Sequence, residues 1–266
     1  MKQRPLSRFV LPGYFAAMVV FLTFPIFLVV PMSFSGNDFL TFPPENISLR
    51  WYIDYINDPG WTRATVLSFK IAFLSAVVSV VVGTMAVVAM ERRLGRSRAA
   101  VGYLISSPII IPHIFIALGV FILSIRYGFT DSEIALVGAH SMIAMPFVVL
   151  IVGASMRQID ETYERAARVL GAGPIRAFFT ATFPSLLPAV VAAAVFAFFV
   201  SFDELIIAQF LLSEKETLPM RIWADLQLEF SPTVSAVAAL LIAVTTAAMT
   251  AAELLRRRAA ARLSGD

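Results

Sequence analysis

The stretch Leu186–Leu212 reads LLPAVVAAAVFAFFVSFDELIIAQFLL. Asp203 and Glu204 are its only charged residues. A bilayer core about 30 Å thick takes roughly 20 mostly apolar helical residues per crossing. The run is long enough for that and does not alternate with period 2, so it predicts a helix rather than a barrel strand. Five other runs share the pattern: Val10–Phe34, Val66–Met90, Val101–Ile125, Ile134–Gly153 and Val234–Leu255. The expected fold class is an all-α membrane protein with six transmembrane helices.

Composition agrees. Of 266 residues, 59% are apolar and 15% charged, against about 25% charged in ordinary soluble domains. Mean hydropathy is +0.81. A soluble enzyme, a nucleic-acid-binding domain and a disordered chain are excluded, because too little polar surface is available to cover a core of this size. The absence of cysteine excludes a disulfide scaffold, a thiolate metal site and a cysteine nucleophile. The first run follows Lys2, Arg4 and Arg8. It is too long for a signal peptide and no small-residue cleavage site follows, so a retained helix is expected.

The basic residues orient the chain. With both termini inside, the inner segments hold Lys2, Arg4, Arg8, then Arg92, Arg93, Arg96, Arg98, then Arg157, Arg165, Arg168, Arg176, and finally Arg256, Arg257, Arg258, Arg262. The outer segments hold the other six, Arg50, Arg63, Lys70, Arg126, Lys215 and Arg221, a positive-inside bias. The outer loops carry Asp38, Glu45, Asp54 and Asp58, and Glu214, Glu216, Asp225 and Glu229. Prolines 12, 25, 31, 108, 112 and 146 lie within spans, where they kink a packed helix or bend one that lines a path. Ser231-Pro232 is a ready start for the last helix.

The most informative loop is the inner one, 155–184, just before Leu186. Asp160 can cap a helix over Glu161–Leu170. Tyr163, Ala166, Ala167 and Leu170 then fall on one face at i, i+3, i+4 and i+7. Glu161 precedes Arg165, and Glu164 precedes Arg168, by four, the supportive orientation. Gly171 ends that helix, Gly173-Pro174 turns the chain, and a second short helix is expected over Pro174–Thr182. The small, alanine-rich apolar side suits close approach of a cytoplasmic protein, while a lipid-surface helix usually offers larger apolar residues.

The stretch from Tyr163 through Pro174 to Thr182-Phe183-Pro184 resembles the EAA loop of binding-protein-dependent ABC importer permeases. That pattern is Glu-Ala-Ala, three residues, Gly, nine residues, Ile-x-Leu-Pro. Ala166, Ala167, Gly171 and Pro184 match, whereas Arg165 stands at the strict glutamate, with Glu164 one residue earlier, and Ala181 and Phe183 replace the isoleucine and leucine. Ser201-Phe-Asp-Glu204, Thr217-Leu-Pro-Met-Arg-Ile-Trp223, Ser231-Pro-Thr-Val-Ser-Ala236 and the proline-rich Pro108–His113 are similar to spermidine/putrescine-type permeases, especially the smaller second permease of the pair. The resemblance implies a type I importer bundle forming a single permease domain over 1–266, in a bacterial inner membrane. It implies a second homologous permease, two cytoplasmic ABC ATPases and a periplasmic solute-binding protein as partners. Tyr163, Glu164, Arg165, Ala166, Ala167, Leu170, Gly171 and Pro184 would then be the ATPase-coupling residues. No cofactor, metal or nucleic acid is implied, and ATP would be hydrolysed by the partners; the chain has no GxxxxGK[ST] loop of its own.

Asp203 lies about 26 Å along the fifth run at 1.5 Å per residue, in its outer third. A carboxylate there is costly toward the bilayer centre. Either one of Asp203 and Glu204 pairs across the bundle or the helix ends near them, or at least one of them attracts a cationic solute on the translocation path. Neighbours on a helix point about 100° apart, so the two cannot share a direction. His113 and His140 fall at similar depth on neighbouring runs, which a bis-histidine haem would need. An ion-coupled secondary transporter is a further alternative, though without an evident internal repeat. Ser141 beside His140 does not make a protease, because adjacent helical residues form no nucleophile–base pair.

Overall fold

The computed structural model describes residues 7–39, 42–44, 46–92, 94–228 and 231–263. Of the charges that orient the chain, Lys2, Arg4, Glu45, Arg93 and Glu229 lie outside the described residues. The helices are α1 (Ser7–Met32), α2 (Arg50–Asn57), α3 (Pro59–Arg92), α4 (Arg98–Ile110), α5 (His113–Tyr127), α6 (Glu133–Met156), α7 (Thr162–Val169), α8 (Pro174–Ala177), α9 (Phe183–Phe202), α10 (Ile206–Leu211), α11 (Leu218–Leu228) and α12 (Pro232–Leu263). Among the described residues there is no strand, only an isolated bridge between Ser35 and Ile47.

The chain forms two compact units, Met1–Thr62 with Ile222–Asp266, and Arg63–Arg221. In the first, α12 packs against α1 and α2. Tyr52 anchors the turn after α1: its hydroxyl is 2.6 Å from Ser33 Oγ and its ring centroid 5.4 Å from that of Phe34. As the Ser231-Pro232 pair predicts, Pro232 opens α12 and Ser231 Oγ accepts the Thr233 N–H at 3.1 Å. Leu11, Phe15, Phe21 and Phe27 leave α1 with an exposed apolar surface, as expected where hydrocarbon is the solvent.

In the second unit α6 is the central post, with half of its apolar window buried. It packs against α4, α9 and α10, and α10 also packs on α5. Leu136 and Ile143 of α6 join Ile71, Ile207 and Leu211 in one core cluster. Val148 and Val152 join Val87, Leu186 and Ala193 in the other. Small polar residues bring α3 close to α6: Ser79 Oγ donates to the Ser141 carbonyl at 3.2 Å and Ser141 Oγ to the Ser75 carbonyl at 3.3 Å. In lipid such bonds and small side chains hold helices together where water is not present to drive them.

Among the described residues four helices are long and apolar enough to cross a membrane, α1, α3, α6 and α9 as it continues from Pro174, or five if the bent pair α4 and α5 is one span. Two runs and one loop helix depart from what is expected. The third, Val101–Ile125, is not one helix: α4 and α5 meet at 100°. Pro112 is the cause, since it forces Ile111 into an extended conformation (φ −80°, ψ 123°) and donates no N–H. The fifth, Leu186–Leu212, breaks after Phe202 and restarts at Ile206. The short helix expected over Pro174–Thr182 does not end there: α8 runs through a π-helical turn, Phe178–Thr182, straight into α9.

The approach of α3 to α6 at Gly83 gives a test. A Cβ on Gly83 would sit 2.8 Å from Val148 Cγ1. Gly83→Val should therefore lower stability by about 1–3 kcal/mol through overpacking, read as a lower midpoint of thermal unfolding in detergent.

Candidate functional site

The inner loop forms the helix expected of it, shortened to Thr162–Val169. Asp160 Oδ1 accepts the Thr162 N–H at 2.8 Å. Gly171 takes φ +91°, the left-handed stop that glycine adopts without penalty. Both pairs read from spacing are present, Arg165 to Glu161 at 2.7 Å and Arg168 to Glu164 at 2.8 Å.

The helix presents outward the side that the docking reading expects. Its apolar side faces out, with Tyr163 70%, Val169 87% and Leu170 88% exposed, while Glu164 is only 5% exposed. The reason is Arg92, the last residue of α3, whose guanidinium forks onto both oxygens of Glu164, with Nη1 2.8 Å from Oε1. Thr182, in the π-helical turn before α9, donates to Glu164 Oε2 at 2.7 Å and accepts from Arg92 Nη2 at 3.1 Å. The guanidinium also lies 5.2 Å above the Phe178 ring. One carboxylate thus binds α3, α7 and the root of α9. Neither Arg92 nor Thr182 is legible in the loop pattern; the only signal was a charged residue ending the second apolar run. Beside this knot is a groove of about 1100 Å³, walled by Val81, Met85, Phe179 and Phe183 and floored by Glu164 and Arg165.

Burial acts to raise the Glu164 pKa. Hydrogen bonds from Thr182 and Arg168 and the charge of Arg92 outweigh it and hold the carboxyl below its ordinary value. Pro184 lies in the first turn of α9, and Ala166 and Ala167 sit on the outward side of α7.

The second constellation lies where the fifth run breaks. Asp203 caps the end of α9 and is exposed. Among the described residues its carboxylate has no hydrogen-bond or ion-pair partner. Glu204 is buried and accepts the N–H groups of Ile206 (3.1 Å), Ile207 (2.8 Å) and Ala208 (3.2 Å). This satisfies the free donors at the start of α10 and explains the restart. Two imidazoles from across the bundle flank Glu204: His140 Nε2 is 3.4 Å from Oε2 and His113 Nδ1 3.6 Å from Oε1, distances that make ion pairs when the ring is protonated. Ser201 Oγ takes the other side of His140, 2.8 Å from Nδ1. The similar depth expected of the two histidines therefore holds, and the group between them is a carboxylate. No group of three or more His, Cys, Asp or Glu suited to a metal is found among the described residues.

At the opposite end of this unit from Arg92, Glu133 bridges Lys70 (2.6 Å) and Lys215 (2.8 Å). Asp131 Oδ1 accepts the N–H groups of Ser213 and Glu214 at 2.8 and 3.1 Å.

Long apolar helices around a polar knot on an exposed amphipathic loop helix describe the membrane subunit of a transporter. The chain belongs to the family of binding-protein-dependent transport system inner membrane components, whose model matches residues 79–261. It is a permease subunit of an ABC importer in the inner membrane. It is 29% identical to the putrescine transport system permease protein PotI of Escherichia coli K12 over 231 residues, 84% of this chain and 82% of that one. It is 25% identical to the spermidine/putrescine transport system permease protein PotC of the same strain over 262 residues, 98% and 99% of the two chains. The fold is similar to that of a bacterial ABC transporter involved in importing the acidic polysaccharide alginate, with a TM-score of 0.68, 18% identity and 95% of each chain covered. Family membership removes the haem subunit and the secondary transporter as readings of this chain.

The knot predicts a pH effect. The folded Glu164 pKa is depressed, so its ionised form contributes stability above the unfolded carboxylate value. That contribution disappears as pH falls through the folded pKa. Glu164→Gln should cost about 3 kcal/mol near neutrality by stranding Arg92, and wild-type and variant melting midpoints should converge on acidification.

Proposed function

We propose that this chain is the second permease of an importer for polyamines or a closely related small cationic solute. It crosses the membrane six times as one permease domain with both termini in the cytoplasm. It pairs with a homologous permease, is driven by two cytoplasmic ATPases and is fed by a periplasmic binding protein. The observation that carries the mechanism is the Arg92–Glu164–Thr182 knot. A displacement of α7 by the closing ATPases is delivered at once to α3 and to the root of α9, with no slack loop between. Tyr163, Arg165, Ala166, Ala167 and Leu170 form the docking face, Glu164 is the fastening, Gly171 sets the exit of the chain, and Pro184 starts the driven helix. The second loop segment is continuous with α9 through the π-helical turn, so the drive reaches the fifth span without a hinge. The outward-open bundle then accepts solute and resets after hydrolysis.

The polyamine assignment rests on the relatives, which are named for putrescine and spermidine, and on the unpaired carboxylate of Asp203. An alkyl diammonium ion needs acceptors not already committed. Glu204 is buried and committed to three backbone donors, so it serves as the anchor of α10, and Asp203 is the solute-facing acid.

The decisive experiment is uptake of radiolabelled putrescine and spermidine by cells with and without the chain. Uptake that depends on both the chain and ATP supports the reading; unchanged uptake of both without the chain refutes the substrate. Asp203→Asn should reduce uptake of the dication several-fold with assembly intact, and normal kinetics would remove Asp203 from the path. Gly171→Val strains the left-handed stop by about 1–2 kcal/mol. It should leave ATP hydrolysis running while uptake falls, measured as solute transported per ATP.

A further inference from the structure

The docking face of α7 carries an asymmetry of charge. Glu164 is withdrawn under Arg92, leaving Arg168, itself half-exposed, to share that one carboxylate. Arg165, one turn earlier, has a side chain 76% exposed and, among the described residues, an ion pair with the exposed Glu161 alone. An exposed pair of this kind is worth about 0–1 kcal/mol, so its guanidinium can change partner at little cost. Arg165 and Arg168 thus form a cationic ridge beside the apolar surface of Tyr163, Val169 and Leu170. The ridge includes the position at which the loop pattern described above has a glutamate.

Resting on the coupling role assigned above, we propose that the ATPase partner of this chain receives α7 in an apolar-floored groove whose rim presents a carboxylate to Arg165. Charge at this contact is therefore reversed relative to a permease with glutamate there. A partner groove lined with arginine or lysine would place like charges together, which costs affinity and rejects the wrong ATPase.

The test uses the importer complex purified from native membranes. The chain's only lysines are Lys2, Lys70 and Lys215, and the last two are held by Glu133. Arg165→Lys therefore places a single new amine on the docking face. Zero-length carbodiimide coupling followed by peptide mapping should then find a link from position 165 to an Asp or Glu of the ATPase. Arg165→Glu should lower the ATPase recovered per permease by at least about ten-fold, and Arg165→Gln by less. The double variant Glu161→Arg, Arg165→Glu keeps an i,i+4 ion pair on the helix while reversing the ridge, and should also lose the ATPase. Wild-type recovery by Arg165→Glu or by the double variant overturns the proposal, as does loss without any link through position 165. Leu170→Asp separates this failure from that of the coupling reading. If Leu170→Asp loses the ATPase and Arg165→Glu keeps it, docking stands and the charge assignment falls. If both keep it, docking itself is refuted.

Discussion

The ion pair between Arg92 and Glu164 is the constraint on which the rest of this end of the second unit depends. Burying a carboxylate is costly unless charge and hydrogen bonds compensate it. Here Arg92, Arg168 and Thr182 do so together. Because its partners come from α3, from α7 itself and from the turn that opens α9, the compensation exists only when the three elements are in register. The same pair decides which face of α7 looks outward. With the polar side fastened down, Tyr163, Val169 and Leu170 are left uncovered. An isolated amphipathic helix would settle the other way, apolar side in.

The opposite end of the same unit uses an analogous device at Glu204. One buried carboxylate begins a helix just after another has ended and is flanked by His113 and His140. Between the two lies α6, whose residues line both core clusters and whose seryl contacts with α3 hold that helix close. The second unit is therefore built around one helix, with a polar fastening toward each end.

Much of this was legible in the chain. Long apolar runs separated by charged segments announce membrane helices, because hydrocarbon admits few other solutions. Gly171, Asp160 and the Glu161–Arg165 and Glu164–Arg168 pairs follow from local rules and appear as read. What the sequence did not reveal is non-local. Arg92 is 72 residues from Glu164, and nothing in the spacing of either names the other. The break at Asp203–Glu204 was one of two readings of a polar interruption; the choice depends on Glu204 finding free amides of the next turn. Pro112 marked a kink, but a 100° bend requires Ile111 to turn extended, and only the surrounding packing settles that.

The short gap between α9 and α10 has a mechanical consequence. α9 ends at Phe202, whereas α10 is held by α5 and α6 and by the Leu211 carbonyl, which accepts the Asp131 N–H. On the coupling proposed above, a displacement entering at the root of α9 is carried along α6 as far as this gap. The apolar run first read as one rod is thus two helices held by different partners, α9 along α6 and α10 by Glu204, α5 and α6, and the exposed carboxylate of Asp203 sits where the two meet.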